Sequence, residues 1–319
     1  MKVRYTFFKF QTGSDSIVRK IPYMEIDSRI DGPVVYITAC VHGDEVGGVA
    51  VLQDLFRSLR LSGLKKGKIC SFPLMNPFSF EFAVRSLPHS GEDLNRRFPG
   101  KVDGSFGERL ANQIFKKICE TKPDLVIDLH NDWIRSIPYA VLDPKSEIFD
   151  SGVWQKAYEA VKQTGLLILQ DSKPLFGTLT TSLLQNNIPA VTLELGESYV
   201  VNENFLKIGM QSIMNILSNL GMTEEFTKKP LLPSSQQFFL PDYIYNYFES
   251  PLASTSGIIR SNRKPGQKVR EGEFLGQVVN TFGRSLERFK SLKPGIILGI
   301  NDTFVSYPGK PIFAFATKD

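Results

Sequence analysis

The chain has 319 residues, 42% hydrophobic and 22% charged, which fits a soluble globular protein with a sizeable core and excludes disorder as the default reading. Its net charge of +5 is carried locally, with nine Lys/Arg against three Glu between Ile258 and Lys293, and no stacking-aromatic pattern or recognition helix goes with it. No nucleic-acid partner is therefore expected. No run of 18 apolar residues and no apolar segment with a small-residue cleavage site occurs, so no membrane association is expected and the reading is cytoplasmic. Cys40, Cys70 and Cys119 sit inside apolar runs, as reduced core thiols do, and support neither a cystine framework nor a Cys-based zinc site.

In chain order, β-branched apolar runs alternate with helical periodicity. A strand is expected at 33–41, a helix at 46–59 and a strand at 68–75. A long aperiodic loop follows, from about Asn76 to Gly104, of a length that is uncommon unless functional. Beyond it come a helix at 106–120, strands at 124–130 and 139–142, a helix at 150–164, strands at 165–170 and 189–195, and a helix at 202–220. Strands apolar on both faces predict an α/β fold with a mostly parallel or mixed sheet flanked by helices. After Gly221 a Pro- and aromatic-rich connector leads to short strands punctuated by Gly and Pro. The expected division is a catalytic domain over 1–228, then a connector and small C-terminal all-β domain over 229–319.

Two of the three histidines and one glutamate end strands: His42 follows VVYITACV, His130 follows LVIDL, and Glu194 follows AVTL. Ligands in open α/β sheets bind beyond the carboxyl ends of strands, so three strands deliver these groups to one edge. His42 and Glu45 stand at i, i+3 at a helix start and can share a metal, and with His130 they make the three-ligand set of a catalytic zinc. Glu194 is the expected general base, with Glu197 as a competitor past the strand end. Gly43, Gly47 and Gly48 match neither a Walker pattern nor G-x-G-x-x-G and read as glycines of a tight strand-to-helix turn.

The segments HGDE, GEDLNRRFPG, DLHN and TLELGE, in this order and spacing, resemble the succinylglutamate desuccinylase and aspartoacylase family, a branch of the zinc carboxypeptidase fold. The resemblance covers most of the chain, including the C-terminal β region. It implies one zinc ion on His42, Glu45 and His130, with Glu194 as general base and acid. It also implies that Asp93 orients His42, that Arg85 polarises the scissile carbonyl, and that Asn95 and Arg96 grip a substrate carboxylate. Capping and loop-surface roles are the alternative for Asp93, Asn95 and Arg96, and Arg97 competes with Arg96. Ser86 stands where the family often has an aromatic residue, and His89 matches no family role.

The expected function is zinc-dependent hydrolysis of the amide bond of a small N-acylated amino acid or related amine. Two alternatives stand beside it: a metallocarboxypeptidase or peptidoglycan-type peptidase, and a non-enzymatic metal-retaining binding or carrier protein. The tail lacks the Met-Lys-Met context of a carrier lysine. The expected partner is a small molecule, with a homo-oligomer allowed. The C-terminal region is expected to narrow the mouth of the site, its basic residues drawing acidic substrates toward it.

Overall fold

The computed structural model describes residues 2–11, 18–225, 243–301 and 303–318, so most of the expected connector lies outside the described residues. Two strands absent from the sequence reading come first, β1 (Val3–Gln11) and β2 (Val18–Asp27), paired antiparallel. They lead to β3 (Val34–Ala39), α1 (Gly47–Ser62) and β4 (Lys68–Phe72). The long loop holds one short helix, α2 (Pro77–Phe80), and a 3-10 turn at Leu94–Arg96. Then follow α3 (Phe106–Glu120), β5 (Leu125–His130), β6 (Arg135–Ser136), β7 (Pro138–Val141), α4 (Ser151–Gln163), β8 (Ile168–Gln170), α5 (Leu179–Gln185), β9 (Ala190–Leu195) and α6 (Glu203–Asn219).

The C-terminal strands are β10 (Ile244–Glu249), β11 (Gly257–Ser261), β12 (Lys268–Val269), β13 (Phe274–Val279), β14 (Ser285–Lys290), β15 (Gly295–Ile300), β16 (Val305–Ser306) and β17 (Phe313–Thr317). β14, β13, β11 and β16 form a four-stranded sheet of their own, the all-β unit that the short strands predict. The others join a 13-stranded mixed sheet in the order β1-β2-β4-β3-β5-β9-β7-β8-β10-β17-β15-β12, with β6 on β15. The C-terminal strands join it through the parallel pairing of β10 with β8 and the antiparallel pairing of β15 with β6. Sequence periodicity cannot show these pairings, because strand neighbours far apart in the chain are chosen by register and packing.

At the centre, β4, β3, β5 and β9 lie side by side and parallel, and their residues are almost wholly buried, as a sheet covered on both faces requires. Helix α1 turns Val51, Leu52, Leu55, Phe56 and Leu59 inward at helical spacing, each buried side chain contributing roughly 1.5–3 kcal/mol. Helix α3 starts at a capping box formed by Ser105 and Glu108, which satisfies backbone donors that its first turn cannot.

The glycines near His42 work differently from the expectation. None of Gly43, Gly47 and Gly48 has positive φ, and the left-handed residue of the turn is Cys40, at φ 54°. Close approach is what they permit. A Cβ at Gly48 would stand 2.8 Å from the Ala39 Cβ and 2.9 Å from the Leu129 Cβ, so its absence lets α1 lie against β3 and β5. Cys40 and Cys70 are buried, Cys119 is partly buried, and all three thiols are free. No described helix is long and apolar enough to cross a membrane.

Candidate active site and metal centre

The strand ends converge as the sheet dictates. His130 and Glu194 are register partners on β5 and β9, while His42 follows β3 on the other side of β5. His42 Nδ1 lies 2.5 Å from Glu45 Oε1, and His130 Nδ1 lies 2.8 Å from Glu45 Oε2. One ligand atom from each of His42, Glu45 and His130 falls within 4.8 Å of the others, and all three residues are buried. Two imidazole nitrogens and a carboxylate gathered in this way fit a catalytic zinc, which keeps three protein ligands.

The second nitrogen of each ring is also held. His42 Nε2 stands 3.0 Å from Asp93 Oδ1, and His130 Nε2 stands 2.9 Å from Asp128 Oδ2. Such carboxylates fix a ring and its tautomer and leave Nδ1 available to a metal ion. Asp128 escaped the sequence reading, although its signal is in DLH: residues i and i+2 of a strand face one side. Thr38 Oγ1 donates to Asp128 Oδ1 at 2.7 Å and locks it in turn. Asp93 does two jobs, since its Oδ1 also accepts from the Asn95 N–H at 2.9 Å and caps the 3-10 turn.

The long loop supplies the remaining predicted residues. Arg85 ion-pairs with Asp93 Oδ2 at 3.1 Å and reaches Glu45 Oε1 at 3.4 Å. Asn95 Oδ1 accepts from the Leu179 N–H at 2.9 Å, tying the loop to the start of α5. Asn95 and Arg96 both line the cavity described below, and Arg96 Nη1 donates to the Asn95 carbonyl at 2.8 Å. Arg97 instead pairs with Glu92 Oε1 at 3.0 Å, which separates the two neighbouring arginines. His89 is exposed and does not line the cavity. Glu197 Oε2 accepts from Asn202 Nδ2 at 2.9 Å and also lies off the cavity wall.

Electrostatics follow from the burial. Burial drives the Glu194 carboxyl well above the usual range, Asp132 and Glu45 add to this, and His130 opposes it. Its Oε2 is buried with no hydrogen-bond partner. Burial also acts to raise Glu45, yet His42 and His130 hold it below the usual carboxylate range. For His130, burial alone would lower the pKa; Asp128 and Glu45 raise it well above the ordinary value.

These groups open on a cavity of about 690 Å³. Asp132, Trp133 and Tyr139 continue the wall from the metal-centre end. Tyr247 and Glu249 of β10 also line it, so the C-terminal region contributes to the wall. Gly299 of β15 backs Trp133, where a Cβ would stand 3.2 Å from the ring.

Comparison with known proteins agrees with this arrangement. Residues 31–220, more than half of the chain, match the succinylglutamate desuccinylase/aspartoacylase catalytic domain. The chain belongs to this family. It is 29% identical over 264 residues to N-alpha-acetyl-L-2,4-diaminobutyric acid deacetylase of Halomonas elongata, covering 78% of this chain and 71% of that one. It is 26% identical over 196 residues to succinylglutamate desuccinylase of Pseudomonas aeruginosa, where it spans 55% of the relative and 56% of itself. These relatives are deacylases. Among solved structures, a succinylglutamate desuccinylase/aspartoacylase from Rhodobacter sphaeroides superposes with a TM-score of 0.82 at 21% identity, covering 99% of this chain and 95% of that one. The ectoine utilization protein EutE (DoeB) from Ruegeria pomeroyi superposes with a TM-score of 0.83 at 20% identity, with the same coverage. At these identities the two structures speak for the fold.

Proposed function

We propose that this family member is a zinc-dependent amide hydrolase on a carboxypeptidase-like fold, releasing the acyl group from a small N-acylated amino acid or related amine. The observation that carries the reading is the buried His42, Glu45 and His130 set facing Glu194 across one cavity. The deacylase relatives support it.

When bound, zinc supplies Lewis acidity toward water and the amide oxygen. Asp93 and Asp128 hold His42 and His130 in the tautomer that presents Nδ1. Glu194 takes the proton from the attacking water and hands it to the leaving nitrogen, a task helped by burial, which raises the proton affinity of its carboxyl. Arg85, reaching from the loop beside Glu45, stabilises the charge that develops on the carbonyl oxygen. Asn95 and Arg96 hold a substrate carboxylate, for which the planar guanidinium is matched.

In this reading the C-terminal β region limits the site to short substrates, since Tyr247 and Glu249 close one wall of the cavity. The deciding experiment incubates zinc-loaded protein with acetyl-, succinyl- and aspartyl-type acyl amino acids and with C-terminal peptides. Release of free amino acid from the acyl compounds supports the deacylase; cleavage of peptides alone replaces it with a carboxypeptidase.

A further inference from the structure

The two sides of the proposed metal ligands differ in character. On the sheet side, Asp143, Asp171 and Glu249 line the cavity, with Asp44 and Asp132 nearer the ligands. Against these acids stand Arg85 and Arg96, and Arg85 is already engaged by Asp93 and Glu45. Burial and then Glu249 raise the Asp171 carboxyl, and Arg96 opposes the rise, so Arg96 stands on the sheet side as well.

The opposite side is apolar and reaches solvent. The turn that carries His42 and Glu45 is clasped there by two segments. The Gly43 N–H donates to the Val84 carbonyl at 2.9 Å, and the Tyr199 N–H donates to the Asp44 carbonyl at 2.8 Å. Gly43 lies so close to the backbone of Ser79 and Phe80 that no side chain would fit. The two segments expose Phe80, Phe82 and Val84 from one and Tyr199, Val200 and Val201 from the other, Phe82 to 63% and Val201 to 51%. Large apolar side chains exposed together around one turn mark a surface that another apolar group covers. The chain neighbours Arg85 and Ser198 line the cavity, so this surface continues the cavity wall outward.

Charge decides what can lie on it. Residues 79–84 and 198–203 include Glu81 and Glu203 and no Lys or Arg. A carboxylate at the end of an acyl group would therefore meet acids and the already engaged Arg85. An aliphatic chain meets its own kind. Turned inward instead, the same chain would strip water from Asp143, Asp171 and Glu249, which is costly for unpaired charges.

The two halves of an amide diverge from its carbonyl carbon. With the amino acid carboxylate at Arg96, the amino acid half lies on the sheet side and the acyl half leaves over the turn of His42 and Glu45. We propose that Phe80, Phe82, Val84, Tyr199, Val200 and Val201 form an acyl-chain groove, so that the preferred substrate is an N-acyl amino acid with a medium or long aliphatic acyl chain. The inference rests on the amide-hydrolase reading above. Water adds across the amide, and the products are a fatty carboxylate and a free amino acid. The wall at Tyr247 and Glu249 then limits the amino acid half and leaves the acyl half unrestricted.

The test compares zinc-loaded, full-length protein on N-acetyl-, N-succinyl- and N-octanoyl-L-alanine, all below the micellar concentration. The octanoyl compound should exceed both others in kcat/KM by about tenfold or more, since each methylene taken out of water contributes a factor of roughly two to four. The double variant Phe82→Ser, Val200→Ser should lose most of that ratio, and Phe82→Leu, Val200→Ile should keep it. Calorimetric binding of the acetyl and octanoyl compounds to the Glu194→Gln protein gives a readout that needs no turnover. If no compound is hydrolysed but the octanoyl compound binds about tenfold more tightly and the serine pair abolishes the preference, the hydrolase reading fails and the groove stands. Hydrolysis without a gain from chain length keeps the hydrolase reading and overturns the groove. A serine pair that turns a dimer into a monomer in light scattering and leaves the ratio unchanged makes the surface a contact between copies and overturns it too. So does the absence of both hydrolysis and chain-length-dependent binding.

Discussion

His130 and Glu194 are paired residues on adjacent parallel strands, so the sheet's own register sets the distance between the proposed metal ligand and the proposed base. A position fixed by backbone pairing survives side-chain substitution. Replacing Glu194 by Gln should therefore leave fold and zinc content intact and reduce kcat by about 10²–10⁴-fold, the usual worth of general acid–base catalysis. Turnover within threefold of the parent protein would remove Glu194 from that role.

About one zinc per chain is expected, and His42→Ala, Glu45→Ala or His130→Ala should release it. Asp128→Asn removes a supporting carboxylate without touching a ligand, and should weaken zinc binding by roughly 10–100-fold in a chelator competition. Full zinc retention in all three ligand variants refutes the centre. An unchanged affinity in the Asp128 variant limits that residue to structure.

Arg96 faces the cavity and Arg97 pairs with Glu92, so the two neighbours should behave differently. Arg96→Ala should raise KM at least about tenfold for free-acid substrates and much less for their amides. Arg97→Ala should stay within about twofold on both. Equal losses on acid and amide substrates would count against a carboxylate contact.

Asp143 links stability to pH. Its carboxyl is raised by burial to about 6 in the folded chain from 3.8, so its stabilising contribution is full below about pH 4 and is lost as pH rises through about 6. At pH 8 its charge costs on the order of 2–3 kcal/mol, since a tenfold change in proton affinity is worth about 1.4 kcal/mol. Asp143→Asn should accordingly raise Tm by several degrees at pH 8 and change it little at pH 4.5. A Tm difference independent of pH would contradict the assignment.

Gly48→Ala places a methyl group against Ala39 and Leu129 at the α1, β3 and β5 junction. Overpacking of this kind costs about 1–3 kcal/mol, and the strain falls where β3 and α1 carry His42 and Glu45 toward β5. Denaturant unfolding should show the loss together with weaker zinc retention. A variant as stable as the parent would mean that the helix can shift freely.

Much of the site was legible in the chain because its signals are local. Apolar runs ending in His42, His130 and Glu194 mark strand ends, and a loop without periodicity marks a functional segment; the i, i+3 spacing of His42 and Glu45 does bring the two side chains together, but in the turn that precedes α1 at Gly47 and not on a helix face. Asp128 was legible in principle too, two residues before His130 on the same side of a strand.

What the sequence by itself determined is therefore which side chains end strands and which share a face, because periods of two and 3.6 residues are properties of the backbone. Only the tertiary structure decided which strands lie side by side. Pairing of β8 with β10 brings Tyr247 and Glu249 to a cavity whose proposed metal ligands lie more than a hundred positions earlier, and the loop fold turns Arg96 inward and Arg97 outward. The hairpin of β1 and β2 is equally a matter of assembly, since it adds to the sheet through β4, about 40 residues further along the chain. The reason is physical: long-range pairing and packing depend on how separated segments bury one another, and no local pattern encodes the choice of neighbour.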